Sequence, residues 1–121
     1  MDVGFIGLGH MGEPMAARIL KAGHALTLCD IRRERGQALE ADGALRVAGP
    51  REVVARAEVV LTSLPGPGEV EAVVRGDAGV FAGLRPGSGY IDLSTNAPQT
   101  MREIAALFGA RDGTLTVFAG G

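Results

Sequence analysis

The 121-residue sequence holds one cysteine and one lysine, no run of basic residues, no long uninterrupted apolar stretch and no low-complexity linker. Each shortage excludes something. A lone Cys29 can form neither an internal disulfide nor a cysteine-built metal cluster, and its place at the end of an apolar run predicts a buried strand thiol. With a net charge of -2 and scattered arginines, the chain has no electrostatic footprint for nucleic acid or an anionic membrane. The apolar segment from Val3 to Leu8 follows the acidic Asp2, is interrupted by glycines and is too short for a signal peptide or a membrane span, so a cytoplasmic protein is expected. What remains is 46% hydrophobic and 21% charged, enough to bury one sizeable core, and residues 1–121 are read as a single globular domain.

Short apolar runs alternate with longer amphipathic stretches, the pattern of a parallel sheet wrapped by helices. Strands are predicted at Val3–Ile6, Ala25–Cys29, Ala44–Val47, Glu58–Ser63 and Gly89–Leu93. Helices are predicted at Met11–Ala22, Arg32–Ala41, Val53–Ala57, Gly68–Arg75 and Pro98–Phe108. The first of these places Met15, Ile19 and Ala22 near one face, has Glu13 and Pro14 in its first turn and Lys21 in its last, and stops at Gly23. The fold class is α/β, a Rossmann-type doubly wound sheet.

Between the first strand and the first helix lies Gly7-Leu8-Gly9-His10-Met11-Gly12, a G-x-G-x-x-G in the context that gives the pattern meaning. Gly7 permits the tight turn, Gly9 lets a pyrophosphate approach the backbone, and Gly12 lets the helix pack closely on the strand. The phosphates would rest on the helix N-terminus, where unpaired N–H groups favour an anion. Asp30 closes the second strand 18 residues beyond Gly12, where a carboxylate can accept both ribose hydroxyls of NAD and repel the extra phosphate of NADP. Asp30 could also cap a helix beginning near Arg32. Arg32 and Arg33 could pair with a 2′-phosphate or stand solvated, so NAD is favoured and NADP stays open. His10, inside the glycine loop, can touch the cofactor or stand exposed.

The run GFIGLGHMGEPMAARILKAGH from Gly4 to His24 resembles the N-terminal signature of the 3-hydroxyisobutyrate dehydrogenase and 6-phosphogluconate dehydrogenase-like family of β-hydroxyacid dehydrogenases. The segments TSLPGPGEVEAVV at 62–74, GDAGVF at 76–81 and LRPGSGYIDLSTNAPQT at 84–100 resemble its later blocks in the same order. The resemblance implies that Gly7, Leu8, Gly9, His10, Met11 and Gly12 cradle the pyrophosphate, that Asp30 selects the ribose, and that Leu64 and Pro65 border the cofactor. It further implies that Ser94 and Thr95 meet the nicotinamide and the substrate carboxylate, although Ser94-Thr95-Asn96 is also a good helix N-cap cluster.

The departures from the family pattern bear on activity. Arg18 stands where many members have Asn. After Phe108, members run through a strand and a D-A-P-V-S-G-G-like substrate loop, whereas this chain passes directly into GARDGTLTVFAGG, which implies an internal deletion near 109–113. The all-helical second domain with the family's catalytic lysine has no counterpart in the sequence, and Lys21, the one lysine, sits on the first helix. The reaction implied is hydride transfer between a nicotinamide cofactor and a small 3-hydroxyacid, weak or absent in the isolated chain. A dinucleotide-binding module or subunit without chemistry is the alternative. Apolar surface left by an absent second domain would favour self-association.

Overall fold

A computed structural model of the chain describes residues 1–65, 67–76, 79–83, 87–93, 106 and 115–118, with the backbone alone at 10, 11, 67, 71 and 115–118. Five strands, β1 (Asp2–Ile6), β2 (Ala25–Cys29), β3 (Leu45–Arg46), β4 (Val59–Thr62) and β5 (Gly89–Asp92), are joined by a sixth, β6 (Leu115–Phe118). All pair in parallel, in the order β3-β2-β1-β4-β5-β6. Interleaved with them are α1 (Gly9–Lys21), α2 (Gln37–Ala41), α3 (Pro50–Arg56), α4 (Pro67–Arg75) and α5 (Val80–Gly83). This is the Rossmann order, and its reversal point falls between β1 and β4.

The central strands are apolar almost throughout because both faces of the sheet are covered. Side-chain alternation divides the core into two layers. Val3 and Phe5 of β1, Leu26 and Leu28 of β2 and Leu61 of β4 pack with Leu8, Ala16 and Leu39 on the side of α1 and α2. Ile6, Cys29 and Val60 point the other way and pack with Val53, Val54, Val70, Val74 and Val80 of α3, α4 and α5. Gly4 is where a helix comes closest to the sheet: a Cβ there would lie 2.5 Å from Val53 Cγ1 and 2.9 Å from Ala57 Cβ.

The elements differ from expectation in several places. Helix α1 begins at Gly9, inside the glycine motif, so Glu13 and Pro14 lie beyond its first turn. Its buried face carries Ala16, with Met15, Ile19 and Leu20 partly buried; Ala22 is the exposed C-cap. The helix expected over Arg32–Ala41 shrinks to Gln37–Ala41, because the polypeptide at 31–36 runs through bends and turns that end at Gly36 with φ +84°. Helix α3 starts three residues earlier than expected, at Pro50, a residue suited to a helix start by its fixed φ. The short α5 and the strand β6 were not expected; β6 pairs with β5 from Gly89↔Leu115 to Asp92↔Phe118 and occupies the sheet edge. Of the expected helix at 98–108 only Ala106 lies among the described residues, where it is helical, and 109–113 lie outside them. Among the described residues no helix is long and apolar enough to cross a membrane.

Gly4→Val inserts three carbons where Val53 and Ala57 already touch the backbone and is expected to destabilise the fold by about 3 kcal/mol. Gly68→Ala, on α4 with no atom within 4 Å of the added carbon, is expected to be neutral or stabilising by about 0.5 kcal/mol. Urea midpoints of the two variants beside the parent protein measure the difference.

Candidate functional site

The polypeptide leaves β1 at Ile6 and must turn at once into α1 while passing the exit of β4. Gly7 (φ +72°) and Gly9 (φ +56°) make that turn in a backbone region that suits glycine. The approach is close: a Cβ on Gly7 would lie 2.5 Å from Leu64 Cδ2 and 2.8 Å from the carbonyl oxygen of Ser63, and one on Gly9 would lie 2.9 Å from Ser63 Oγ. The Gly7 N–H donates to the Cys29 carbonyl at 2.9 Å, tying the turn to the end of β2. Gly12 plays the packing part expected of it, with Phe5 Cε1 and Ser63 Cβ at 3.1 and 3.2 Å from the position of a Cβ.

Asp30 follows β2 directly. Its Oδ2 accepts the Leu8 N–H at 2.9 Å and its Oδ1 accepts the Arg32 N–H at 2.8 Å. The carboxylate thus bridges the glycine turn and the segment after β2; the capping role anticipated for it serves a turn, since no helix begins at Arg32. A carboxylate has about four lone-pair positions, so two such bonds leave acceptor capacity on both oxygens. Arg35 adds a second tie, donating from Nη1 to the Gly9 carbonyl at 3.0 Å, and Glu13 Oε1 accepts the Gly36 N–H at 3.1 Å.

These features open onto a cleft of about 740 Å³ at the reversal point of the sheet. Gly7, Gly9, Asp30, Arg32, Leu64 and Pro65 all line it. The other residues named from sequence sit differently. The Leu8 side chain is fully buried in the core and only its N–H faces Asp30, while Gly12, in α1, is packed against Phe5 and Ser63. His10 and Met11 contribute the first turn of α1, and Ser94 and Thr95 lie outside the described residues. Arg33 is exposed and is not part of the cleft wall.

Sequence reasoning missed Ile31, Arg35, Pro50, Ser63 and Glu69, which also line the cleft. Ser63 and Ile31 had a signal, since they adjoin Leu64-Pro65 and Asp30 and Arg32; Arg35, Pro50 and Glu69 follow three different strands and share no motif. Among the described residues no group of three or more His, Cys, Asp or Glu side chains is placed to hold a metal ion.

Below the cleft, at the ends of β4 and β5, the Thr62 hydroxyl donates to Asp92 Oδ1 at 2.8 Å, which leaves Tyr90 OH to donate to Thr62 Oγ1, also at 2.8 Å. All three are buried, and burial pushes the Tyr90 hydroxyl well above its ordinary pKa. The Leu93 N–H donates to the Thr62 carbonyl at 2.8 Å, so the end of β5 is held where Leu93 reaches the cleft.

Residues 2–121 match the model of one family, the NAD binding domain of 6-phosphogluconate dehydrogenase. The chain is similar to the NAD-dependent L-serine dehydrogenase of Pseudomonas aeruginosa, 37% identical over 137 residues, covering 99% of this chain and 46% of the relative. It is 36% identical over 137 residues to the 3-hydroxyisobutyrate dehydrogenase of the same organism, with the same coverage. Among solved structures it is similar to a 3-hydroxyisobutyrate dehydrogenase of Mycobacterium tuberculosis solved with L-serine, with a TM-score of 0.84, 35% identity, and coverage of 98% of this chain and 40% of that one. The chain therefore spans less than half the length of the curated relatives it matches. Both alignments are longer than its 121 residues, so each relative carries residues without a counterpart here.

Cys29 forms part of the cleft floor, and its thiol is pushed up to about 12, chiefly by burial and then by the negative charge of Asp30. It should therefore react with a disulfide reagent at pH 8 slowly when folded and rapidly in urea. The folded thiol keeps its proton while the unfolded one, with an ordinary pKa of 9.0, loses it, so this contribution to stability is complete below pH 9.0 and disappears as pH rises toward about 12. Urea midpoints followed across that window should fall less steeply for Cys29→Ala than for the parent.

Proposed function

Since the chain belongs to the family of the NAD binding domain of 6-phosphogluconate dehydrogenase, we propose that it is the cofactor-holding part of an oxidoreductase that moves hydride between NAD(H) and a small 3-hydroxyacid. One observation carries this reading: at the reversal point of a parallel 3-2-1-4-5-6 sheet, two positive-φ glycines and a carboxylate fixed by two backbone N–H groups face one cleft.

The residues fit a dinucleotide. Gly7 and Gly9 leave the space that a Cβ would fill, and the N-terminus of the 13-residue α1 offers backbone N–H groups and the positive end of its dipole to a pyrophosphate. The lone pairs left on Asp30 are the acceptors for the adenosine ribose hydroxyls, and the same charge opposes a 2′-phosphate, which supports NAD over NADP. Arg32 at the cleft wall works in the opposite sense and moderates that preference. Leu64 and Pro65 form the apolar border after β4. Ser94 and Thr95, from the D-x-S-T motif, are assigned to the nicotinamide and the substrate carboxylate.

When bound, the nicotinamide cofactor supplies or accepts the hydride, and the chain's part is to hold and orient it. The proton on the hydroxyl oxygen needs a separate acid or base. Lys21, the only lysine, is exposed at the far end of α1, about 18 Å from the glycine turn at 1.5 Å per residue, and cannot serve. Turnover of a hydroxyacid by this chain alone is accordingly expected to be very weak. A substrate loop lost near 109–113, the second part of this proposal, points the same way. The position of Lys21 also favours a second reading, a dinucleotide-binding module that performs no chemistry.

Titration with NADH and NADPH, followed by cofactor fluorescence, tests the proposal. Saturable binding that prefers NADH, loses the preference in Asp30→Ala and disappears in Gly9→Ala is the expected result. A folded parent protein that binds neither cofactor sinks it.

A further inference from the structure

The segment at 31–36 carries Ile31, Arg32 and Arg35 to the cleft wall, yet it belongs to no helix or strand. A loop of this kind is ordinarily mobile, and a side chain that must tell one ribose from another needs a fixed position. Much of what holds this one comes from a residue outside the cleft. Arg46 sits on the edge strand β3, placed by its pairing with Leu28 and by the bond from the Val47 N–H to the Leu28 carbonyl at 2.9 Å. Its Nη2 donates to the carbonyl of Arg35 and also to that of Arg33, at 3.4 Å. Its Nε donates to Glu40 Oε1 at 2.6 Å, and the Arg46 side chain is only 17% exposed.

The end of the segment at Gly36 leaves room for this guanidinium. Gly36 has φ +84°, and a Cβ there would stand 3.1 Å from Arg46 Nη2, 3.0 Å from Leu8 Cδ1 and 3.2 Å from Leu28 Cδ1. The Gly36 N–H is bound by Glu13, and the Arg35 side chain reaches the Gly9 carbonyl. The segment is thus gripped from both sides, by β3 through Arg46 and by α1 through Glu13 and Gly9.

We propose that Arg46 is a positioning residue for cofactor discrimination, its planar guanidinium clamping the 33–35 backbone so that Asp30, Arg32 and Arg35 meet the ribose end of a dinucleotide in a preset arrangement. The inference rests on the dinucleotide reading above. It requires arginine specifically, because a lysine ammonium has the charge without the rigid fork that spans two carbonyls and a carboxylate. Glu40 orients the fork from the Nε side, and Arg33, whose side chain is exposed, serves the site through its backbone carbonyl.

The test uses Arg46→Lys, Arg46→Met and the milder Glu40→Gln. Dissociation constants for NADH and NADPH are measured with the thermal midpoint, and amide exchange of the cofactor-free protein is followed by NMR. Both Arg46 variants are expected to weaken NADH binding about tenfold while changing NADPH binding less, so that the preference moves toward unity. The Arg35 and Gly36 amides should exchange faster while those of Phe5 and Leu61 keep their protection. Glu40→Gln should show the same changes at reduced size, and it carries the test if an Arg46 variant does not fold. An unchanged NADH-to-NADPH ratio with unchanged exchange at 35 and 36 overturns the proposal. So does an equal loss of both affinities that tracks the thermal midpoint, the mark of a merely structural residue. If the parent protein binds neither cofactor, the dinucleotide reading fails instead, and the discrimination proposed for Arg46 falls with it.

Discussion

The distance between two backbones governs the rest of this molecule. Where β1 ends, the polypeptide has to reverse into α1 directly beside the exit of β4, and Ser63 and Leu64 stand so near Gly7 and Gly9 that a methyl group on either glycine would collide with them. That approach keeps β1 in register with both β2 and β4, directs the N-terminus of α1 toward the strand ends and leaves a cleft above them. A wider turn would move the helix dipole off the strand ends, and the pyrophosphate seat proposed for the cleft depends on that alignment. The close packing of Gly4 under α3 does the same for the opposite face, where the helix wall descends until it touches the backbone of β1.

Polar groups around the cleft are organised by the same economy. Asp30 is satisfied by two backbone N–H groups that belong to different connections, so one carboxylate both presents acceptors and joins the glycine turn to the segment after β2. Tyr90, Thr62 and Asp92 form a buried hydrogen-bonded row that carries a carboxylate to the ends of β4 and β5 with partners in place. Groups buried in this way rigidify their surroundings when satisfied and are costly when not. The wall of the cleft is accordingly built from elements tied to one another: the glycine turn to β2, the 31–36 segment to α1 and β3, and the end of β5 to β4.

Much of this was legible in advance because local and global signals coincide. The strand–glycine–helix motif, the acidic residue after the second strand and the alternating apolar runs each report on a few neighbouring residues, and those residues meet the same physical demands wherever the fold occurs. The expected strands at Val3–Ile6 and Ala25–Cys29 match closely for this reason. The expected helix from Arg32 failed because good helix-forming residues such as Arg32, Arg33, Glu34 and Arg35 were outweighed by tertiary bonds. Asp30 draws in the Arg32 N–H, Arg46 takes the carbonyls of Arg33 and Arg35, and Gly36 turns left-handed. Strand β6 was passed over although Leu115–Phe118 is rich in β-formers, because four residues gain strand stability only from a neighbour such as β5.

The identity of the glycine motif, the carboxylate at residue 30, the α/β class and the chemistry proposed for a pyrophosphate site are properties of residue type and short spacing, and the amino-acid order contains them completely. Which other side chains complete the wall is of a different kind. Ile31, Arg35, Pro50 and Glu69 come together because parallel strands set the three separate connections after β2, β3 and β4 at one end of the sheet. Arg46 becomes a clamp only because the pairing of β3 with β2 places its guanidinium against a glycine ten residues earlier. Interactions between residues far apart in the chain follow from packing geometry, which short-range periodicity does not encode.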